Sequence, residues 1–500
     1  MTYAQLEIQA RIAAKALHRL GVAHGDHVAF LIGNNVVFPV LFQALMKLGA
    51  VAVPLNKRLP AEDVAYMARH VNARALIFDS DMETVLSQAM ERCGFSSTLM
   101  VCNGETFLPA IPWDGLVIPT CDKENAEEGC GYSSPDDESL VLFTSGTTGR
   151  PKAVVRTAEA VSMLATVQLI EGHSHEGTVD VLYTQAPLYH MGGLCAMLKT
   201  CATSGTLIAE SHFDPATVLD LVERYSVNQL YMIPPALFSR LYDVEQHSGR
   251  TFPGVLETQC AGGRTRECDW KAVFALFPNA RVRVSFGSTE TGMTCTSYFT
   301  KNQYAERPER GRAVGSINAF VTMKLVDEEG EPVPAGQPGE ALVKSPAAFS
   351  GYRDLPLATA EAFDEDGFFR TGDMLYLDEE GCYVFVDRMS DMIKTGGENV
   401  FAAEVEQVVQ QFPAIEDCAV VGVDDDRYGE GIAAAIVLEP KAADSFSPDA
   451  LIAFCKEHMA SFKKPRYLAI MDEIPRNSLG KVQKNELRAR RGEFNLVASQ

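Results

Sequence analysis

Leu6, Ala10, Ala13 and Leu17 recur at helical spacing and fall on one face of a predicted helix. Thr2-x-x-Gln5 in front of them is a capping-box pattern, and Gly21 closes the segment. Residues 28–32 are a short apolar run that reads as a strand; 37–48 returns to helical spacing and 51–53 to strand. The alternation continues with strand-like runs at 75–78, 140–143, 181–186, 230–233 and 282–286 and helical stretches between them. Asp214-Pro215 is a cap followed by a first-turn proline, which predicts a helix running through Tyr225. Strands and helices alternating in this way predict an α/β architecture of layered, largely parallel sheets. After about residue 310 the texture changes: short strand patterns at 321–326, 340–343 and 383–386 stand among Gly, Pro and Asp turns. A smaller α+β unit is predicted from there to the end, and residues 104–135 are expected to form a surface loop.

Length and composition narrow the possibilities. The chain has 500 residues, more than one ordinary core holds, with 46% apolar and 22% charged residues, as in soluble globular proteins. It has no run of about 18 apolar residues, and its first residues have neither a basic leader nor an apolar core, so a cytoplasmic protein without a membrane span is expected. Twelve cysteines occur without any C-x-x-C pair, which argues against zinc ribbons and thioredoxin-type sites and for reduced thiols. A formal net charge of −22 repels polyanions, so nucleic acid is not an expected partner. An anionic cofactor would have to be met by local basic groups.

One segment offers such groups. Thr144-Ser145-Gly146-Thr147-Thr148-Gly149-Arg150-Pro151-Lys152 follows the strand-like run 140–143. Glycines let a backbone fold tightly round an anion, hydroxyls donate to its oxygens, and Lys152 adds charge, so a polyphosphate is the expected ligand. The spacing is not that of a Walker A loop. The segment resembles the phosphate-binding signature of the adenylate-forming superfamily, which includes acyl-CoA ligases, luciferases and peptide-synthetase adenylation domains. Ala153 stands where most members have glycine.

Further segments follow in that superfamily's order, though each would mean little alone. Pro187-Leu188-Tyr189-His190-Met191-Gly192-Gly193 resembles the stretch whose histidine lies beside the acyl pocket. Ala261-Gly262-Gly263 resembles the backbone along the adenine. In Phe286-Gly287-Ser288-Thr289-Glu290-Thr291, the resemblance places Phe286 against adenine, Gly287 and Ser288 in the nucleotide site, Thr289 on phosphate and Glu290 on Mg²⁺. A hard cation accepts one carboxylate plus phosphate oxygens. Asp373, in Phe369-Arg370-Thr371-Gly372-Asp373, and Arg388 would hold the ribose. Lys481, in Pro475-Arg476-Asn477-Ser478-Leu479-Gly480-Lys481, resembles a mobile catalytic lysine, and Gly396 and Gly397 resemble the face along which a thiol approaches.

The resemblance covers the whole chain apart from a short N-terminus. It implies a large N-terminal ATP- and acid-binding domain over 1–388, a hinge at 389–391 and a small mobile C-terminal domain over 392–500. The hinge residue is Ser390, where relatives usually have Asp or Lys. The implied activity is ATP-dependent ligation of a carboxylic acid to coenzyme A through an acyl-adenylate, with Lys481, His190, Thr289 and Glu290 catalytic. Arg58, Tyr428 or Phe462, and Lys464 with Arg466 match positions that hold the nucleotide end of coenzyme A in some relatives. His190, Met191, Gly193, Ile233, Ala261 and Phe286 are the expected acid pocket. They are mainly apolar, which suits an aromatic or a medium- to long-chain acid. The alternatives are transfer of the acyl group to a carrier protein and a non-catalytic adenylate-binding paralogue. Oligomeric state and pathway are not legible from the chain.

Overall fold

A computed structural model describes residues 1–94, 99–117, 133–144, 150–171, 178–246, 249–263, 265–442, 445–477 and 480–497. They divide into two compact units. The first comprises 1–311, 315–322 and 343–369; the second comprises 312–314, 323–342 and 370–500.

The first unit is built on strands buried on both faces. Every residue of His27–Leu31 and Ala75–Asp79 is buried, and the alternation of side chains sends them into two different cores. Val28, Phe30 and Ile77 pack with Ala13, Leu17, Phe38 and Leu41 from helices Tyr3–Arg19 and Val37–Leu48. Ala29, Leu31 and Phe78 pack with Val64, Ala68 and Leu86 from Ala61–His70 and Glu83–Cys93. The first helix carries its capping box: Thr2 and Gln5 each accept from the other's backbone N–H. Five parallel pairings run from Glu138–Thr144 through Val51–Pro54, His27–Leu31, Ala75–Asp79 and Leu99–Asn103 to Ile111–Pro112. On the other side Lys152–Thr157 turns back antiparallel on Glu138–Thr144, and Gly351–Tyr352 pairs with it at the edge.

A second sheet of this unit sets Thr206–Ala209, Val181–Thr184, Gln229–Met232, Glu257–Cys260 and Arg281–Ser288 in parallel. Gly292–Phe299 then returns antiparallel on the last of these. Asp214 caps helix Pro215–Arg224 through the Thr217 N–H at 2.9 Å, as its sequence predicts.

The second unit holds most of strands Gly339–Lys344 and Phe369–Leu377, the latter antiparallel to Tyr383–Arg388. It also holds a six-stranded sheet around the hairpin Ile415–Asp425/Gly429–Leu438, with helices Ala402–Val409 and Pro448–His458 contributing to its core. Residues 312–314, 323–342 and 370–388, expected in the larger domain, cluster with this unit because their strands pair mainly among themselves. The expected 104–135 loop is corrected in its described part. Residues 111–112 add a strand, and Trp113 is buried in the core below the first helix.

Among the described residues no helix is long and apolar enough to cross a membrane. Trp270 is 2% exposed and stacks on Tyr304 at 4.5 Å, with Phe299 edge-on at 5.4 Å. Trp270→Ala is expected to destabilise the protein by about 3–5 kcal/mol. A urea midpoint that does not move would show that this cluster fixes nothing.

Candidate functional site

In the first unit the hairpin Glu138–Thr144/Lys152–Thr157 brings Thr144 and Lys152 into register opposite each other. Ser145, Gly146, Thr147, Thr148 and Gly149 lie outside the described residues. The Lys152 ammonium sits 4.6 Å over the Tyr352 ring, and the Tyr352 hydroxyl donates to Glu290 Oε1 at 3.4 Å. Burial and the Glu290 charge together push the Tyr352 phenol above its usual range. Sequence reasoning missed Tyr352. It lies in an unremarkable Gly-Tyr pair, and only its pairing beside the hairpin brings it to the site.

Glu290 is positioned by its backbone. Its carbonyl accepts from Phe349 N–H at 2.8 Å and from Arg156 Nη2 at 3.1 Å. The turn carrying Thr289 and Glu290 is tied by Ser288 Oγ, which accepts from the N–H groups of Glu290 and Thr291 at 3.1 Å. Gly287 tolerates no side chain: a Cβ there would lie 1.9 Å from the Gly292 carbonyl oxygen. Phe286 immediately precedes the bulge at this point.

Of the expected acid-pocket residues, Ile233 packs against two glycines of the neighbouring motifs. A Cβ on Gly192 would meet Ile233 Cδ1 at 2.6 Å, and one on Gly262 would meet Ile233 Cγ2 at 2.8 Å. Gly262 has φ +74°, and Gly263 has open space around its Cβ position. Ala261 and Gly262 follow the end of strand Glu257–Cys260. Gly193 lies against the Pro187 carbonyl, where a Cβ would come within 2.2 Å. His190 is the N-cap residue of helix Met191–Ala202, so Met191 and Gly193 occupy its first turn. The His190 ring meets Tyr189 edge-on at 4.9 Å, and its buried Nε2 has no hydrogen-bond partner. Burial lowers its pKa to about 4, and the charge of Arg58 adds to the shift. Arg58 is itself exposed.

In the second unit Asp373 and Arg388 face each other across paired strands, with Arg388 Nε 3.0 Å from Asp373 Oδ1. Lys481 feels both of them. Crowding by surrounding protein lowers its ammonium below the usual lysine range and Arg388 adds to this, while Asp373 and Asp391 pull it back. Its turn is fixed by Asn477, whose Oδ1 accepts the Lys481 N–H at 2.9 Å; Ser478 and Leu479 lie outside the described residues. Ser390 lies in the short helical turn Met389–Asp391, and its carbonyl accepts from Arg488 at 3.1 Å.

Gly396 and Gly397 form the tip of the hairpin Met392–Thr395/Glu398–Phe401, with φ +59° and +85°. Gly396 N–H donates to the Tyr428 carbonyl at 2.9 Å, and Arg466 lies 5.0 Å over the Tyr428 ring. Asp425, which the sequence did not single out, holds Arg466 Nε at 2.5 Å and the Tyr467 hydroxyl at 2.8 Å. Lys464 donates to the Ser461 carbonyl. Phe462 is exposed, with Lys463 over its ring.

With this geometry in place, the comparisons are specific. Residues 1–353 match the AMP-binding enzyme family, and residues 404–481 match the AMP-binding enzyme C-terminal domain. The chain belongs to the AMP-binding enzymes. It is 32% identical over 497 residues to the long-chain-fatty-acid–CoA ligase FadD13 of Mycobacterium tuberculosis, covering 98% of this chain and 92% of that protein. It is also 32% identical over 494 residues to the feruloyl-CoA synthase of Amycolatopsis sp, covering 98% and 94%. Among solved structures, the amide bond synthetase McbA from Marinactinospora thermotolerans superposes with a TM-score of 0.87 at 26% identity over 98% of this chain and 94% of that one. ATP-bound MatB from Rhodopseudomonas palustris gives 0.82 at 26%, over 98% and 93%.

The His190 environment generates a pH prediction. A histidine whose folded pKa lies below its ordinary value binds its proton less tightly in the folded state, so acid destabilises the fold between 6.5 and about 4. The His190 imidazole is expected to stay neutral at pH 6 and to titrate near 4, followed by NMR of the ring nitrogens. Titration at the ordinary value would show that the ring is solvated.

Proposed function

We propose that this protein is an ATP-dependent carboxylic acid–CoA ligase. It joins acid and ATP to acyl-AMP and pyrophosphate, then exchanges AMP for the thiol of coenzyme A. The observation that carries this reading is the Lys152–Tyr352–Glu290 arrangement, in which a cation and a carboxylate meet one tyrosine at the mouth of a Ser/Thr/Gly loop. The acid is already ionised at neutral pH, so activation needs no general base. What must be met is repulsion between carboxylate and triphosphate and the charge that develops at the α-phosphorus. Lys152, Lys481 and the 144–149 loop supply fixed positive charge and donors.

Among the described residues no group of three or more His, Cys, Asp or Glu side chains could hold a metal by itself. Glu290 would hold Mg²⁺ together with phosphate oxygens, and the ion would neutralise phosphate charge. Thr289 lies on the phosphates, while Phe286, Gly287, Ser288 and Ala261–Gly263 line the base. Asp373, with two acceptor oxygens, takes the ribose hydroxyls, and Arg388 orients it. His190, neutral by its burial, lies against the acid without adding charge.

The larger domain runs over 1–388 and the smaller over 392–500, with Ser390 as the hinge. The smaller domain presents Lys481 for adenylation and the Gly396–Gly397 tip, with Tyr428, Phe462, Lys464 and Arg466, for coenzyme A; Arg58 meets the nucleotide end. The reaction takes place in the cytoplasm, on an aromatic or medium- to long-chain acid skeleton.

Lys481→Ala is expected to lose roughly 10²-fold or more in adenylation, typical of removing one donor to a transition state. Thioester formation from supplied acyl-AMP should survive, measured by CoA-thioester release in single turnover. Equal loss in both half-reactions refutes the division of labour. AMP release without a CoA thioester, over a panel of acids, points to a carrier protein as acceptor instead.

A further inference from the structure

Two buried cations stand near the Glu290 turn, and the reaction above gives the guanidinium charge of neither a role. Arg156 stands four residues after Lys152 on strand Lys152–Thr157, so both side chains leave the same face. It is 0% exposed; Nη2 donates to the Glu290 carbonyl, while Nε and Nη1 have no hydrogen-bond partner. Arg283 is equally buried. Its Nη1 donates to the Tyr231 hydroxyl at 2.8 Å, its Nη2 points at the Met293 thioether at 3.1 Å, and its Nε has no partner. Among the described residues neither guanidinium has a carboxylate within ion-pairing distance. Glu257, the nearby acid, pairs with Arg281 at 2.6 Å and Lys199 at 3.5 Å, and its charge reaches Arg283 through the Tyr231 hydroxyl, which lies 3.3 Å from Glu257 Oε1.

Burying a charge without a counterion costs several kcal/mol per ion, and proteins ordinarily pair such groups. Burial lowers Arg156 to about 10, so it remains a cation at neutral pH. Arg156 approaches the strand of Met293: its Nη2 lies 3.9 Å from where a Cβ on Gly292, the neighbour of Met293, would stand. Gln168 joins them: its Nε2 points at Met293 Sδ at 3.5 Å, and its buried Oε1 has no partner. Two nitrogen donors thus converge on a thioether, which is a weak acceptor on a flexible, unbranched side chain. Met293 is partly exposed and pairs in register with Gly287. Cys195 Sγ donates to Met191 Sδ at 3.6 Å, which places the spot one helical turn inward from the expected pocket.

We propose that the acid activated by this protein carries a second anionic group, in the simplest case a second carboxylate. This group displaces the Met293 thioether and is bound by Arg283, Arg156 and the Gln168 amide. The inference rests on the ligase reading and adds a cationic inner end to the expected, mainly apolar pocket. A methyl-terminated chain or an unsubstituted ring leaves the Arg156 Nε and Nη1 and the Arg283 Nε without an acceptor.

The test is acid-dependent ATP–pyrophosphate exchange by the full-length protein on matched acid pairs. Benzoate is set against the benzenedicarboxylates, and straight-chain monoacids against α,ω-diacids of equal length. The readout is the kcat/KM ratio within each pair, which is independent of the fraction of folded enzyme. The wild type is expected to favour the diacid of at least one pair by roughly 10²-fold, and Arg156→Met to bring that ratio near one. Gln168→Leu, a milder change, should lower it about 10-fold and serves where the methionine variant does not fold. Monoacids preferred in every pair, or a ratio unmoved in the variant that folds, overturns the proposal and leaves the ligase reading standing. No exchange with any acid sinks the ligase reading, and the second-anion inference falls with it.

Discussion

The Glu290 carbonyl is the point on which the first unit's chemistry depends. Three stretches distant in sequence meet there: the hairpin strand through Arg156, the 349–352 segment through Phe349, and the 288–291 turn that carries the residue itself. Each hydrogen bond contributes only about 1 kcal/mol net, but an unsatisfied buried donor costs more, which makes the arrangement hard to leave. The contact is possible only because Gly287 lacks a side chain, since a Cβ there would overlap the Gly292 carbonyl and push the return strand away. Holding the backbone also holds the carboxylate beside Tyr352 and Lys152. Charge groups fixed before the reaction need no reorganisation during it, which is where such a site derives its advantage over water.

Much of this was legible in the sequence, for physical reasons that differ between elements. Strands such as Ala75–Asp79 announce themselves because burial on both faces demands an unbroken apolar run. The Thr2 and Asp214 caps are local hydrogen-bond chemistry and need no tertiary context. Gly192 and Gly262 both lie against Ile233, a contact that depends on their lacking side chains and that no local pattern announces. The Lys152–Thr157 strand was not legible: a hairpin closed by a Ser/Thr/Gly loop gives no period-two signal ahead of it. The clustering of 323–342 and 370–388 with the second unit is set by strand pairing between distant segments, which no local pattern encodes. Arg156 and Arg283 escaped for a related reason. An arginine in a strand reads as a solvated edge position, and its complete burial depends on what packs against it.

The acidic character of the chain sharpens the meaning of its cations. At a net charge of −22, each basic group is drawn toward a carboxylate, so one held away from any is placed there against the prevailing field. Around Tyr428 in the second unit, Asp425 has its pKa held down to about 2 and cancels much of the Arg466 charge while fixing the guanidinium over the ring. Burial there is outweighed by bonds from Tyr467, the Arg427 and Tyr428 backbone, and Arg466. Arg466 is therefore oriented more than it is attractive. Lys464 differs: burial lowers its ammonium, and Lys456 and Arg466 add like-charge crowding. Only an anion relieves that crowding, which fits the phosphate-bearing nucleotide end proposed for this face. The same reasoning separates Arg156 and Arg283 from structural ion pairs. Arg281 and Lys199 pair with Glu257 directly and Arg283 reaches it only through the Tyr231 hydroxyl, while Arg156 Nε and Nη1 and Arg283 Nε have no partner; the proposed second anion would meet those donors.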